Sequence, residues 1–174
     1  MRCRWPKVRS FFLLLILYLP SAWADCWERA GQSFGIAPEL LYAIAQQESG
    51  LNPQASNSNN NGTNDIGLMQ INSVHLPRLK KMGIDEKQLR QDSCLSIIIG
   101  ASILSDMMKR YGYSWEAVGA YNAGMGVNRQ ALRMRYAEQV WQRYQRLQAG
   151  NKAINRNALN QHSFLPVTSK PRID

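Results

Sequence analysis

The stretch Ala37-Pro38-Glu39-Leu40-Leu41-Tyr42-Ala43-Ile44-Ala45-Gln46-Gln47-Glu48-Ser49, followed by Gly50, reads as one amphipathic helix. Pro38 suits a first helical turn, where a missing N–H leaves no bond unmade, and Gly50 is placed to end the helix. Leu41, Ile44 and Ala45 precede Glu48 by seven, four and three residues and so share its side of the helix. That side faces inward, which sets a carboxyl at the end of an apolar stripe. Desolvation disfavours the anion, and a carboxyl kept protonated near neutral pH can serve as a general acid and then as a base. On position alone, a Glu that caps the helix or pairs with Arg or Lys is the competing reading.

Outward from this helix the periodicity stays helical, with no alternation long enough for a large sheet. Helices are expected over 25–34, 75–81, 85–90, 94–111, 114–123 and 134–147. The 94–111 helix carries Leu95, Ile98, Ile99, Ile103, Leu104 and Met107 or Met108, enough apolar positions for a central buried helix. In the last helix Val140, Trp141, Tyr144 and Leu147 form the packing stripe. Asn52 to Asn64 holds Pro53, Gly62 and hardly any apolar residue, so an ordered turn or tip is expected there. The fold class is mainly α, a single domain with a small irregular or short β segment beside the helix of Glu48.

The chain start reads as a secretion address. Arg2, Arg4, Lys7 and Arg9 precede an apolar run from Phe11 to Leu19, and Ala22-Trp23-Ala24 fits a cleavage site. The run is too short to span a bilayer as a helix, so 1–24 is expected to be a cleaved signal peptide and no stable membrane span is expected afterwards. The domain then covers 25–149, and 150–174, polar and basic, is expected to be a flexible tail. Cys3 leaves with the signal, and the even pair Cys26 and Cys94 suits a disulfide in an oxidising compartment; two separate buried thiols are the alternative.

The net charge of +9 includes four charges of the signal. All of the remaining excess lies from Arg129 onward, where nine basic residues meet Glu138 and Asp174. A basic stripe can bind nucleic acid, but an exported protein rarely meets any; cell-wall carboxylates, anionic lipid, an acidic partner or a plain solvated helix face fit better. His75 and His162 are far apart and supply no zinc-ligand spacing, so neither metal nor cofactor is expected. His75 is expected on a helix surface.

Three blocks carry a family resemblance: Glu48-Ser49-Gly50, then Gly67-Leu68-Met69-Gln70-Ile71, then Ala120-Tyr121-Asn122-Ala123-Gly124. In this order they resemble the lytic transglycosylases. The resemblance implies a lysozyme-like α domain that binds alternating N-acetylglucosamine and N-acetylmuramic acid, with Glu48 as acid and base and a 1,6-anhydro product. By the same matching, Met69, Gln70, Tyr121 and Asn122 line the sugar groove, with Ser49 beside the acid. Met69 as plain core packing, Tyr121 on a core face and Gln70 as a brace for its loop are the competing readings.

The loop after the acid is longer than in most transglycosylases and leads to Asp65. Glu48-Ser49, Asn52, Gln54-Ala55, Asn57, Gly62, Asp65, Gly67 and Gln70-Ile71-Asn72-Ser73 resemble the active-site stretch of c-type lysozyme. That enzyme is a standard worked case of a retaining glycosidase with two carboxyl groups. The likeness implies that Asp65, in an Asn- and Thr-rich turn, stabilises charge while Glu48 moves the proton. An Asp that only shapes the turn is the alternative. The runs Leu40 to Ser49 and Tyr111 to Gly124 are similar to IagB-type invasion proteins, small transglycosylases that accompany type III secretion. This implies an enzyme that opens the wall locally for a secretion apparatus, with a secretion component as a further partner; the signal segment adds a periplasmic location, and a monomer is expected. A lysozyme-type muramidase and a wall-binding scaffold without turnover are the rival functions.

Overall fold

The computed structural model describes residues 22–154, with side chains described over 25–150. The expected signal segment, but for its last three residues, lies outside them, as does 155–174. Seven α-helices and one small sheet follow in chain order. They are α1 (Ala22–Phe34), α2 (Pro38–Ser49), β1 (Ser56–Ser58), β2 (Asn64–Ile66), β3 (Ile71–Asn72), α3 (Leu76–Lys80), α4 (Glu86–Gln91), α5 (Ser93–Tyr111), α6 (Trp115–Ala123) and α7 (Gln130–Ile154). The strands form an antiparallel sheet in the order β1-β2-β3, which brings Asp65 opposite Asn57 on one side and Asn72 on the other. The mainly α expectation with a short β segment is what the chain adopts, and no described helix is long and apolar enough to cross a membrane.

The helix ends follow local chemistry. Asp85 caps α4 in a reciprocal capping box with Gln88, and the Asp92 and Ser114 side chains accept backbone N–H groups at the starts of α5 and α6. Gly50 ends α2 in the left-handed conformation at φ 61°.

Helix α5 is the buried axis of the domain. Ile97, Ala101 and Leu104 are buried along it, while Leu95, Ile98 and Met107 pack partly buried at its margin. Ile98 packs against the core as expected, and Ile97, outside the expected stripe, is buried as well because α5 is contacted on several sides. Helix α1 packs on α5 and the two are joined by the Cys26–Cys94 disulfide, with a sequence separation of 68. Helix α7 packs on both α2 and α6. It starts four residues before the expected helix and runs through Gly150, so the expected tail boundary falls inside a helix.

The disulfide closes a long loop and so restricts the unfolded chain. Replacing both cysteines by serine is expected to lower the unfolding free energy by about 2 to 4 kcal/mol. Denaturant titration of the two proteins under non-reducing conditions checks this, and coincident midpoints would refute it.

Candidate active site

Glu48 lies in the last turn of α2, with Leu41, Ile44 and Ala45 of its own face wholly buried beneath it. Burial pushes its carboxyl up from the ordinary 4.5 to about 7, and the nearby charge of Asp65 pushes in the same direction. Hydrogen bonds from Tyr136 and Asn122 pull the other way without cancelling the desolvation. The Tyr136 hydroxyl donates to Glu48 Oε1 at 2.5 Å. That phenol and the phenol of Tyr121 are both held well above the usual 10, by burial first and by the Glu48 charge second, so both stay donors.

Opposite the acid, Asp65 sits on the central strand β2 rather than in the turn expected for it. Its Oδ1 accepts from Asn72 Nδ2 at 2.7 Å and its Oδ2 from Asn59 Nδ2 at 2.9 Å. The same two amides donate to the Thr63 hydroxyl, which in turn donates to Asn61. A run of amides and hydroxyls with no apolar side chain therefore folds into a carboxylate cradle, and the sheet register sets its geometry.

Glu48 and Asp65 open into one cavity of about 300 Å³. The loop and sheet contribute Asn59, Asn61, Thr63, Gln70 and Asn72; α6 contributes Tyr121 and Asn122; and Arg129 closes the list of charged groups. The size and polarity suit a segment of a neutral, hydroxyl-rich polymer. Among the described residues no cluster of three or more His, Cys, Asp or Glu could hold a metal ion.

Two of the residues expected at the site, Met69 in the groove and Ser49 beside the acid, do not line this cavity. The Met69 side chain is wholly buried and packs against Gly100, where even a Cβ would come within 2.7 Å of Met69 Cε. Its carbonyl, not its thioether, faces the site and accepts the Tyr121 hydroxyl at 2.8 Å. Ser49 does not line the cavity either: its hydroxyl donates to Leu68 O at 2.7 Å and to Ala45 O at 3.3 Å, which ties the end of α2 to the loop.

Gln70 lines the cavity and braces the loop at once. Its Nε2 donates to Ala55 O and Gly67 O, its Oε1 accepts from Asn57, and its backbone is held at φ 47°. Gly67 is required beside it, since φ is +71° and a Cβ would meet Leu89 O at 2.8 Å. His75, expected on a surface, is half-buried at the cavity wall, with burial and then Arg78 holding its pKa down.

Tyr136 is the residue that sequence reading missed. It lies four residues before Val140, so extending the packing stripe of α7 by one turn reaches it, and a buried tyrosine needs a partner for its hydroxyl. Tyr136→Phe removes a hydrogen bond that favours the Glu48 anion, so the carboxyl should keep its proton to higher pH. The descending limb of a pH–rate profile is expected to move to more alkaline pH; an unmoved or acid-shifted limb would contradict this.

A helical domain with a small sheet and, between them, a polar cleft that holds a desolvated acid is the architecture of lysozyme-like glycan-cleaving proteins. The chain belongs to the transglycosylase SLT domain family, whose sequence profile matches residues 25–144, and so to the peptidoglycan lytic transglycosylases. It is 58% identical over 150 residues to invasion protein IagB of Salmonella typhimurium strain SL1344, covering 84% of this chain and 93% of that one. To protein IpgF of Shigella flexneri it is 46% identical over 147 residues, covering 84% and 97%. The fold is similar to an inactive mutant of the lytic transglycosylase Slt from Pseudomonas aeruginosa, with a TM-score of 0.58 and 25% identity over 75% of this chain. This chain spans 25% of that much longer enzyme.

Proposed function

We propose that this protein cuts the β-1,4 bond between N-acetylmuramic acid and N-acetylglucosamine in peptidoglycan, with Glu48 as acid and then base. The observation that carries the reading is a carboxyl raised to about 7 by burial, at the wall of a polar cavity large enough for sugar. Protonated Glu48 gives its proton to the glycosidic oxygen as that bond to the anomeric carbon breaks. The resulting carboxylate then takes the proton of the muramic C6 hydroxyl, whose oxygen bonds to the anomeric carbon and closes a 1,6-anhydro ring. Asp65 stabilises the positive charge that develops on the ring between the two steps.

Tyr136 and Asn122 orient the acid, and Tyr121 and Gln70 hold the wall of the groove in place. The signal-like start supports export to the periplasm, and the likeness to an invasion protein supports a role in opening the wall for a secretion apparatus, a component of which would be a partner.

The Asp65 cradle favours one second reading. A carboxylate in the same cleft as the acid is also what a hydrolase of the lysozyme type uses, with water in place of the C6 hydroxyl. Mass spectrometry of muropeptides released from purified sacculi separates the two. Transglycosylation gives anhydro ends, lighter than reducing ends by one water. Reducing ends alone would overturn the proposed cyclisation while leaving glycan cutting in place.

A further inference from the structure

The cavity wall offers amides, hydroxyls, two carboxyl groups and a histidine whose charged form is disfavoured. Arg129 is the one full-time cation among its described lining residues. Its guanidinium makes no ion pair or hydrogen bond with any described residue; only its backbone N–H is engaged, with Gly126 O at 3.2 Å. Arginines left free at a surface are common, but this one is placed by what lies beneath it.

Its stem runs flat over the Cα of Gly126, where a Cβ would approach Arg129 Cδ to 3.0 Å and Cγ to 3.3 Å. The turn itself is clamped from inside. Arg133, only 5% exposed, donates through Nη1 to Gly126 O at 2.9 Å and to Gly124 O at 3.4 Å. Its other nitrogens go to Glu116 Oε1 at 3.1 and 2.9 Å. An ion pair buried at its arginine end therefore fixes the turn on which an unpaired guanidinium lies at the cleft.

We infer that Arg129 is an anion subsite of the cleft and receives a carboxylate carried on the 3-O-lactyl arm of the muramic residue. The inference rests on the proposed glycan substrate and adds to it. The sugar backbone is neutral, so a cation gains nothing from it; the negative charge of the polymer hangs from the lactyl arm, as the lactyl carboxylate itself or as carboxylates of an attached peptide. The Asp65 carboxylate in the same cleft would repel those groups, and Arg129 offsets the repulsion at its own end. Arginine suits the task because its planar fork matches a carboxylate through two parallel hydrogen bonds.

The test compares wild type with Arg129→Gln and Arg129→Lys on glycan strands of two kinds, each used with free carboxylates and with its carboxyls converted to neutral methylamides. One kind keeps its stem peptides; the other has been stripped by an amidase and carries the lactyl carboxylate alone. For wild type, neutralisation is expected to raise KM by about five- to tenfold with little change in kcat, the range of a partly exposed charge-assisted contact. For Arg129→Gln the ratio of the two KM values should fall to about one, with Arg129→Lys in between. An effect on stripped strands assigns the lactyl carboxylate, and an effect confined to stem-bearing strands assigns the peptide. The same ratio in wild type and Arg129→Gln would overturn the subsite. A variant that cut neither charged nor neutral strands but showed unchanged circular dichroism would overturn it too, because the residue would then serve turnover itself. Neither result bears on Glu48, whose failure would show as cutting by a Glu48→Gln variant.

Discussion

Glu48→Gln is expected to fold normally and to lose glycan cutting by more than about 10³-fold, because one group is asked to donate and then recover the proton and general acid–base catalysis is worth about 10² to 10⁴. Glutamine is isosteric and can still accept the Tyr136 hydroxyl, so the geometry of the site should survive. Stability should move in the opposite direction to activity. The folded carboxyl keeps its proton up to about 7 and the unfolded one up to about 4.5. The contribution of this group to stability is therefore fully present below pH 4.5 and is lost as pH rises through about 7. Above that, the buried anion opposes folding by an amount on the order of 1 to 3 kcal/mol. Glutamine does not titrate, so at pH 8 the variant should unfold at a higher temperature than wild type, and below pH 4 the difference should vanish. Turbidity loss of sacculi and thermal unfolding at the two pH values measure both effects. Near-normal cutting by the variant would remove Glu48 from the mechanism.

Asp65→Asn is expected to slow cutting by about 10²-fold, the usual scale for removing one preorganised group that meets developing charge. It carries a second signature that a merely structural role would not. Asp65 pushes the Glu48 carboxyl up through its charge. Without that charge Glu48 gives up its proton earlier, so the descending limb of the pH–rate profile should move to lower pH, opposite to the shift expected for Tyr136→Phe. Wild-type rate with an unmoved limb would leave Asp65 as a shaper of the sheet, bound to Asn59 and Asn72 and nothing more.

The parts of this molecule that were legible in sequence are those governed by a single period. The Leu41, Ile44 and Ala45 stripe placed Glu48 on an inward face, and all three residues are buried there. Helices α4 and α6 begin where Asp85 and Ser114 cap them. The sheet was legible only as a small irregular or short β segment at a polar turn, without strand bounds, because a strand such as Ser56–Ser58 is exposed throughout and has no alternation to read. Its order comes from side-chain amides that meet Asp65 and Thr63 across strands, a long-range property.

Helix α7 was read short at both ends for a related reason. Its first turns are largely polar and exposed, and a glycine such as Gly150 weakens an exposed helix by only about 1 kcal/mol. Of the residues expected in the groove, Gln70, Tyr121 and Asn122 line the cavity and Met69 does not, nor does Ser49, expected beside the acid. A motif fixes which residues occur together; it leaves open whether a residue meets the ligand or, like Ser49 on Leu68 O, holds the loop that does.

The protonation of Glu48 can be observed directly, by following its side-chain carboxyl carbon by NMR across pH in protein labelled with ¹³C at glutamate, with Glu48→Gln to assign the resonance. A titration centred at about 7, moving lower in Asp65→Asn and higher in Tyr136→Phe, is the predicted result. A midpoint near 4.5 in the wild-type protein would mean that the carboxyl is ionised at working pH, and the acid step assigned to it would have no proton to give.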